Sequence, residues 1–161
     1  GTECSGPEAA VKGAFTGKAA VIINKEDSDA DALTMVETIY RKIGMSLLYM
    51  EAGPHDLHAA YVRHISHITS FALANTVLKK EKEEDAIFAL ASAGFESTVR
   101  LAKSNPAMWA PIFIQNHKNV LEVLNEHISQ LNAFKRCLEK KDYACMVDLM
   151  ENANKIRKIL K

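Results

Sequence analysis

The 161-residue chain has no excess of either charge: 20 Lys and Arg offset 20 Asp and Glu. Broad electrostatic binding to nucleic acid or to an anionic membrane needs clustered cations. Here the basic residues are spread along the chain and are not interleaved with aromatics, so neither partner is expected. No apolar run approaches the ~18 residues of a membrane span, and the N-terminus carries no signal-peptide pattern. A cytoplasmic location is therefore expected, although the abrupt start at Gly1 reads as truncated. The three cysteines, Cys4, Cys137 and Cys145, are an odd number at no metal-ligand spacing. Reduced thiols are the expectation. HExxH, a Walker loop and a serine elbow are all missing, and so are the zinc, P-loop and hydrolase chemistries they mark. None of Gly1, Gly6, Gly13, Gly17, Gly44, Gly53 and Gly94 takes GxGxxG spacing, so these residues hold no dinucleotide-phosphate cradle.

What is present divides near residue 52. In the first part, Pro7 suits a first helical turn and residues 8–15 read as a short helix. The β-branched run at 20–23 reads as a buried strand. Ser28 and Asp29 are capping types, and Leu33, Val36, Ile39, Tyr40 and Ile43 recur at helical spacing up to Gly44, a C-terminal stop. Residues 45–50 are a second strand-like run. Two strands and a helix cannot close an α/β domain by themselves, so residues 1–52 read as the tail of a sheet domain. Residues 53–161 read as helical throughout. A long helix through 55–77 ends in the charge run 79–85. A short helix is expected over 86–93, a break at Gly94, and a resumption over 96–103. Asn105 and Pro106 form a cap and a first helical position, and Pro111 predicts a kink or restart. Val120, Leu124, Ile128, Leu131, Phe134 and Leu138 form a long stripe, and a last helix covers roughly 143–160. Stripes this long suit burial against a second copy of the chain. The fold class is mainly α, with a small α/β remnant in front.

Four of the six histidines, His55, His58, His64 and His67, fall in the long helix. His64 and His67 share one face, continued by Ala60 and Phe71. Imidazoles on an apolar face need partners, since burying a polar group unpaired costs roughly 1–3 kcal/mol. Three readings stay open. A metal site lacks further ligands at matching spacing. Structural histidines need only local backbone or carboxylate partners. A ligand site needs a second element, and Gly94–Trp109 offers one: Arg100 stands among Val99, Leu101 and Ala102. A guanidinium in apolar surroundings suits a carboxylate or phosphate held bidentately. A surface salt bridge is its blander fate, and Trp109, the single tryptophan, is more often an anchor than a ligand contact.

Four stretches together resemble the prephenate dehydrogenase family. GTECSGPEAA (1–10) is similar to the stretch just after that family's His-Pro-x-Ala motif. HDLHAAYVRHISHITSFAL (55–73) is similar to its HD…SHxPH segment. AGFESTVRLAKSNPAMW (93–109) is similar to its GGF…TR…S.P.MW segment, and FIQNHKNVLEVL (113–124) to its first long C-terminal helix. Departures are Arg63 for the serine and Ser66 for the proline of SHxPH, Ala93 for a glycine, and Ser97 where aspartate is common. The resemblance implies an end piece of a Rossmann domain over 1–52, then a substrate-binding and dimerisation domain over 53–161. It implies oxidative decarboxylation of prephenate to 4-hydroxyphenylpyruvate, with hydride transfer to NAD or NADP, in tyrosine biosynthesis. It assigns substrate contacts to Arg100, His67, His64, Glu3 and Trp109. It places the general base upstream of Gly1, so no catalytic residue is assigned here. The partners it implies are a dicarboxylate substrate and a second copy through the C-terminal helices. No metal is implied, and the chain alone is expected to hold no cofactor and to be inactive. Arogenate dehydrogenase, a different Rossmann reductase, and a non-catalytic helical dimerisation or regulatory module are the alternative readings.

Overall fold

A computed structural model describes residues 6–81 and 87–159. The chain forms two compact units, Gly1–Val120 and Leu121–Lys161.

The first unit begins with a 3-10 turn, Pro7–Ala9, and a series of tight turns up to β1 (Ala19–Ile23). The helix expected over 8–15 does not form. Its backbone bonds are of the three-residue type, Ala14 to Val11 and Thr16 to Gly13, and Gly13 and Gly17 both adopt positive φ. Left-handed glycines close turns and cannot propagate a helix. Strand β1 pairs in parallel with β2 (Ser46–Met50), Ala19 opposite Ser46 through Ile23 opposite Met50. Between them runs α1 (Ala30–Lys42). Asp29 caps it, its carboxylate accepting from the N–H groups of Asp31 (2.9 Å) and Ala32 (3.0 Å). Gly44, at φ +80°, ends it. Met45 N–H donates to Tyr40 O and Gly44 N–H to Arg41 O, both at 3.0 Å, the paired closure of a Schellman motif. Tyr49 O–H donates to Glu37 (2.8 Å), which ties β2 to α1. Two strands cover only part of the helix: Leu33 and Tyr40 are half-buried, whereas Val36, Ile39 and Ile43 stay exposed.

Asn24 carries the sheet into the helices. Its backbone N–H donates to Met50 O, and its side-chain oxygen accepts from Ala52 N–H at 2.9 Å. From there the chain is helical over 52–81, but not as one uniform helix. α2 (Ala52–Ala59) passes into a π-helical turn, Ala60–His64, then into α3 (Ile65–Glu81). The signature bond runs from Ile65 N–H to Ala60 O, five residues back. The buried stripe is Ala60, His64, His67 and Ser70, while Phe71 is only half-buried. The charge run at 79–85 and the helix expected over 86–93 lie partly outside the described residues. Within them, Phe88–Leu90 is a 3-10 turn. Gly94 does not break a helix; it sits in the first turn of α4 (Ala93–Val99), which passes into a 3-10 turn, Arg100–Lys103. α5 (Pro106–Gln115) is capped by Asn105 and runs through Pro111 without the expected restart, ending at Asn116. α6 (His117–Lys140) comes directly after it.

In the second unit α6 turns into α7 (Tyr143–Asn154), shorter than expected, with a 3-10 turn at Lys155–Lys158. Lys141 takes positive φ, and Asp142 N–H donates to Cys137 O while Lys141 N–H donates to Leu138 O. Asp142 then caps α7 through Cys145 N–H (3.0 Å). This tight corner sets the Cα atoms of Cys137 and Cys145 5.8 Å apart and joins them as a disulfide. The expectation of reduced thiols is overturned for that pair. Eight residues of spacing did not reveal it, because the left-handed residue that folds the corner is a lysine. Cys4 lies outside the described residues. Along α6, Ile128, Leu131 and Leu138 of the predicted stripe are exposed.

Gly44→Ala should cost about 1–2 kcal/mol, because a left-handed alanine is strained. The new Cβ would also lie 3.3 Å from Thr16 Cγ2. Urea unfolding monitored by circular dichroism measures it.

Candidate functional site

The site is built from three segments of the first unit: α2 with its π turn and α3, the bend between α4 and the 3-10 turn, and α5. Together they enclose a cavity of about 460 Å³. His55, Arg63, His64, His67 and Arg100 supply its polar lining, and Ala59, Leu101, Met108, Trp109 and Ile112 its apolar lining. Four of the five residues expected at a substrate site, Arg100, His67, His64 and Trp109, therefore meet in one place. The fifth, Glu3, lies outside the described residues.

Each group is held by a traceable contact. His67 Nδ1–H donates to Arg63 O at 3.0 Å, within the same helical run. Its ring stacks on Trp109, centroids 3.5 Å apart and planes 28° apart. A neutral His67 held this way keeps Nε2 as an acceptor. Trp109, also buried, is tilted against Phe113 (5.5 Å). The His64 ring makes T-shaped contacts with both rings, centroids 6.2 and 6.1 Å away. Asn116, at the end of α5, brings its amide nitrogen 3.3 Å from His64 Nδ1.

The bend that presents Arg100 has a specific cause. In an unbroken α-helix, Ala102 N–H would donate to Thr98 O. Instead the Ser70 hydroxyl from α3 stands between them, donating to Thr98 O (3.0 Å) and accepting from Ala102 N–H (3.1 Å). A side chain inserted in the ladder bends a helix. Val99 sits at φ −91°, ψ 1°, and Arg100 opens the 3-10 turn after it. Ser70 is 1% exposed.

Burial pushes the His64 imidazole below its ordinary value, and the Arg63 guanidinium beside it adds to this; Asp56 opposes. Arg63 stands where the resembled family has serine, and it makes no side-chain hydrogen bond or ion pair among the described residues. His55 pairs with Asp56 at 3.0 Å. Sequence reasoning did not single out Arg63, His55, Ser70 or Asn116 as site residues. Only the first three carry a local signal, their place on the histidine helix. No group of three or more His, Cys, Asp or Glu side chains is positioned for a metal among the described residues. The residues present do not fit a dinucleotide-phosphate cradle either. The described glycines at positive φ, Gly6, Gly13, Gly17 and Gly44, sit singly in turns rather than in a phosphate-binding loop.

Residues 51–152 match the family described as prephenate dehydrogenase, dimerization domain. The chain belongs to the prephenate dehydrogenase family. It is 26% identical to the cyclohexadienyl dehydrogenase of Zymomonas mobilis, a match covering all of this chain and 55% of that protein. It is 23% identical to the prephenate dehydrogenase of Bacillus subtilis over 88% of this chain and 38% of that one. The chain thus spans about half the length of these relatives, or less. Among solved structures, prephenate dehydrogenase from A. aeolicus in complex with hydroxyphenyl propionate and NAD+ superposes with a TM-score of 0.88 at 27% identity. That match covers the whole of this chain and 56% of the other. Arogenate dehydrogenase from Synechocystis shares the fold (TM-score 0.76, 21% identity), over the whole chain and 59% of the other. Family membership sets aside the reading of an unrelated Rossmann reductase.

Ser70→Ala removes the bridge between Thr98 and Ala102 and should cost about 1–3 kcal/mol of stability in urea unfolding. His64, with a folded value below the ordinary 6.5, binds its proton more weakly folded than unfolded. Stability should therefore fall as pH drops from 6.5 toward the folded value and level off below it. His64→Gln should flatten that part of the stability–pH curve.

Proposed function

We propose that this chain is the substrate-binding and dimerisation portion of a prephenate dehydrogenase. The parent enzyme would catalyse oxidative decarboxylation of prephenate to 4-hydroxyphenylpyruvate, a step of tyrosine biosynthesis, in the cytoplasm. The observation that carries this reading is the meeting of Arg100, His64 and His67 on one cavity, within a chain of this family. Arg100 would take one carboxylate of the dicarboxylate substrate as a bidentate pair. His67, oriented by Arg63 O and stacked on Trp109, and His64 would hydrogen-bond the substrate's other polar groups. Trp109, with Met108 and Ile112, would shield the ring of the substrate from water. When bound, NAD or NADP would accept the hydride, held by residues other than those present here, and the base that takes the hydroxyl proton would also come from elsewhere in the enzyme.

The domain assignment belongs to the same proposal: residues 1–52 as part of the dinucleotide-binding domain and 53–161 as the helical domain. The exposed apolar face of α1 supports the first half, because a helix of that pattern is buried where its sheet is complete. The exposed α6 residues Ile128, Leu131 and Leu138 support a homodimer through the C-terminal helices. The substrate-site role that the resemblance implies for Glu3 is part of the same proposal.

In the parent enzyme, Arg100→Ala should raise KM for prephenate about tenfold or more, the effect of losing a hydrogen-bonded charge pair worth ~1.5–3 kcal/mol. Unchanged KM in a folded variant would favour a non-catalytic helical module. The chain by itself should sediment as a dimer and produce no NADH from prephenate and NAD+.

A further inference from the structure

We propose that Asn116 is the positioning residue for His64: it fixes the ring as the tautomer with hydrogen on Nε2, so that His64 meets substrate as a donor. Asn116 ends α5, and neither its own helix nor the sequence pattern marks it as part of the cavity. Its carboxamide orientation is set by the backbone carbonyl of Asp56, and the Asn119 side chain can match it. Asn119 Nδ2 donates to Asn116 Oδ1 at 2.7 Å, consistent with that orientation. The backbone carbonyl of Asp56 lies 2.7 Å from Nδ2, and a carbonyl can only accept. The nitrogen is therefore the atom that also faces His64 Nδ1 at 3.3 Å.

An amide nitrogen offers hydrogens and no lone pair. For this contact to be a hydrogen bond, Nδ1 of His64 must be the unprotonated atom, and a neutral ring then carries its hydrogen on Nε2. His64 lines the large cavity and Asn116 does not, while both line a second cavity of about 210 Å³; with Nδ1 engaged by Asn116, Nε2 is the ring nitrogen left for a ligand. The charged or titratable groups around the ring are Arg63 on the π turn, His55 and Asp56 on α2, and His67 on α3. The rings of Trp109 and Phe113 from α5 complete its surroundings. Of these, Arg63 and Asp56 act on the ring through charge and do not choose between its nitrogens. Asn116 does. The outcome is a complementary pair in one cavity: His64 with Nε2–H to donate, and His67, held through Nδ1–H, with Nε2 to accept when neutral.

This inference rests on the reading of the cavity as the substrate site, but its first test does not. The side-chain nitrogen resonances of His64 in this chain, assigned by their loss in His64→Gln, are recorded by NMR above pH 6.5. The expected result is hydrogen on Nε2, and hydrogen on Nδ1 in the unaltered chain overturns the proposal. Asn116→Asp replaces the donor by an acceptor and should transfer the hydrogen to Nδ1; retention on Nε2 also overturns it. In the parent enzyme, Asn116→Asp should then raise KM for prephenate about tenfold, the loss of one hydrogen bond at the ligand. kcat should change by less than about threefold, as for an interaction made equally with substrate and transition state. A tautomer that flips while KM stays unchanged refutes the link from Asn116 through His64 to substrate. If the unaltered enzyme oxidises neither prephenate nor arogenate, the functional reading fails instead, and the tautomer result still decides the role of Asn116.

Discussion

A single hydroxyl between two backbone groups sets the geometry on which the cavity depends. Ser70 separates Thr98 O from Ala102 N–H and substitutes for the bond they would otherwise make. Each contact alone contributes only about 0.5–1.5 kcal/mol. Its importance is directional. A buried carbonyl and a buried N–H both need partners, so a hydroxyl that satisfies both while holding them apart makes the bend at Val99 a satisfied conformation rather than a strained one. Arg100 opens the turn beyond that bend. The same helix face that carries Ser70 carries His67 one turn earlier and His64 before it, so the arginine and the histidines are registered against each other by one side of α3.

The same run of helix contains the π turn at Ala60–His64. A five-residue hydrogen bond is less favourable than the α form, and such turns recur at functional sites. Ala60, wholly buried, and His64 bound this turn and face the same interior. Burying two imidazoles would be costly if they were unpaired. Neither is: His67 bonds Arg63 O and stacks on Trp109, and His64 is met by Asn116. Stacking of this kind contributes about 0.5–1.5 kcal/mol beyond area, and it fixes the plane of the ring that faces the cavity.

The parts legible in the sequence are those whose cause is local. Asp29 and Asn105 cap the helices they precede, Gly44 stops α1, and the β-branched run forms β1, because each outcome depends on residues a few positions away. The misread parts show the opposite. Residues 8–15 have helical composition, but Gly13 and Gly17 at positive φ turn the chain. Gly94, read as a break, is accommodated in a first turn. Lys141 folds the α6–α7 corner from a residue type that gives no warning, and so pairs Cys137 with Cys145. Phe71 was expected on the histidine stripe, and Ser70 occupies it. The stripe beyond His67 advances by three residues, and what makes that position valuable is a partner backbone 28 residues away.

The sequence by itself determined the mainly helical character of the described residues after 52, the strand–helix–strand in front of them, and the candidates Arg100, His67, His64 and Trp109. Periodicity, caps and motif spacing are local properties that survive in one dimension. Only the tertiary structure decided that these four side chains share a cavity, that Arg63 and His55 join them, and that Ser70 and Asn116 hold them. Those facts are hydrogen bonds across 28 and 52 residues of chain. Serine and asparagine can satisfy their polar atoms with almost any nearby backbone or water, so their identity says nothing about which partner they will find until the helices are packed.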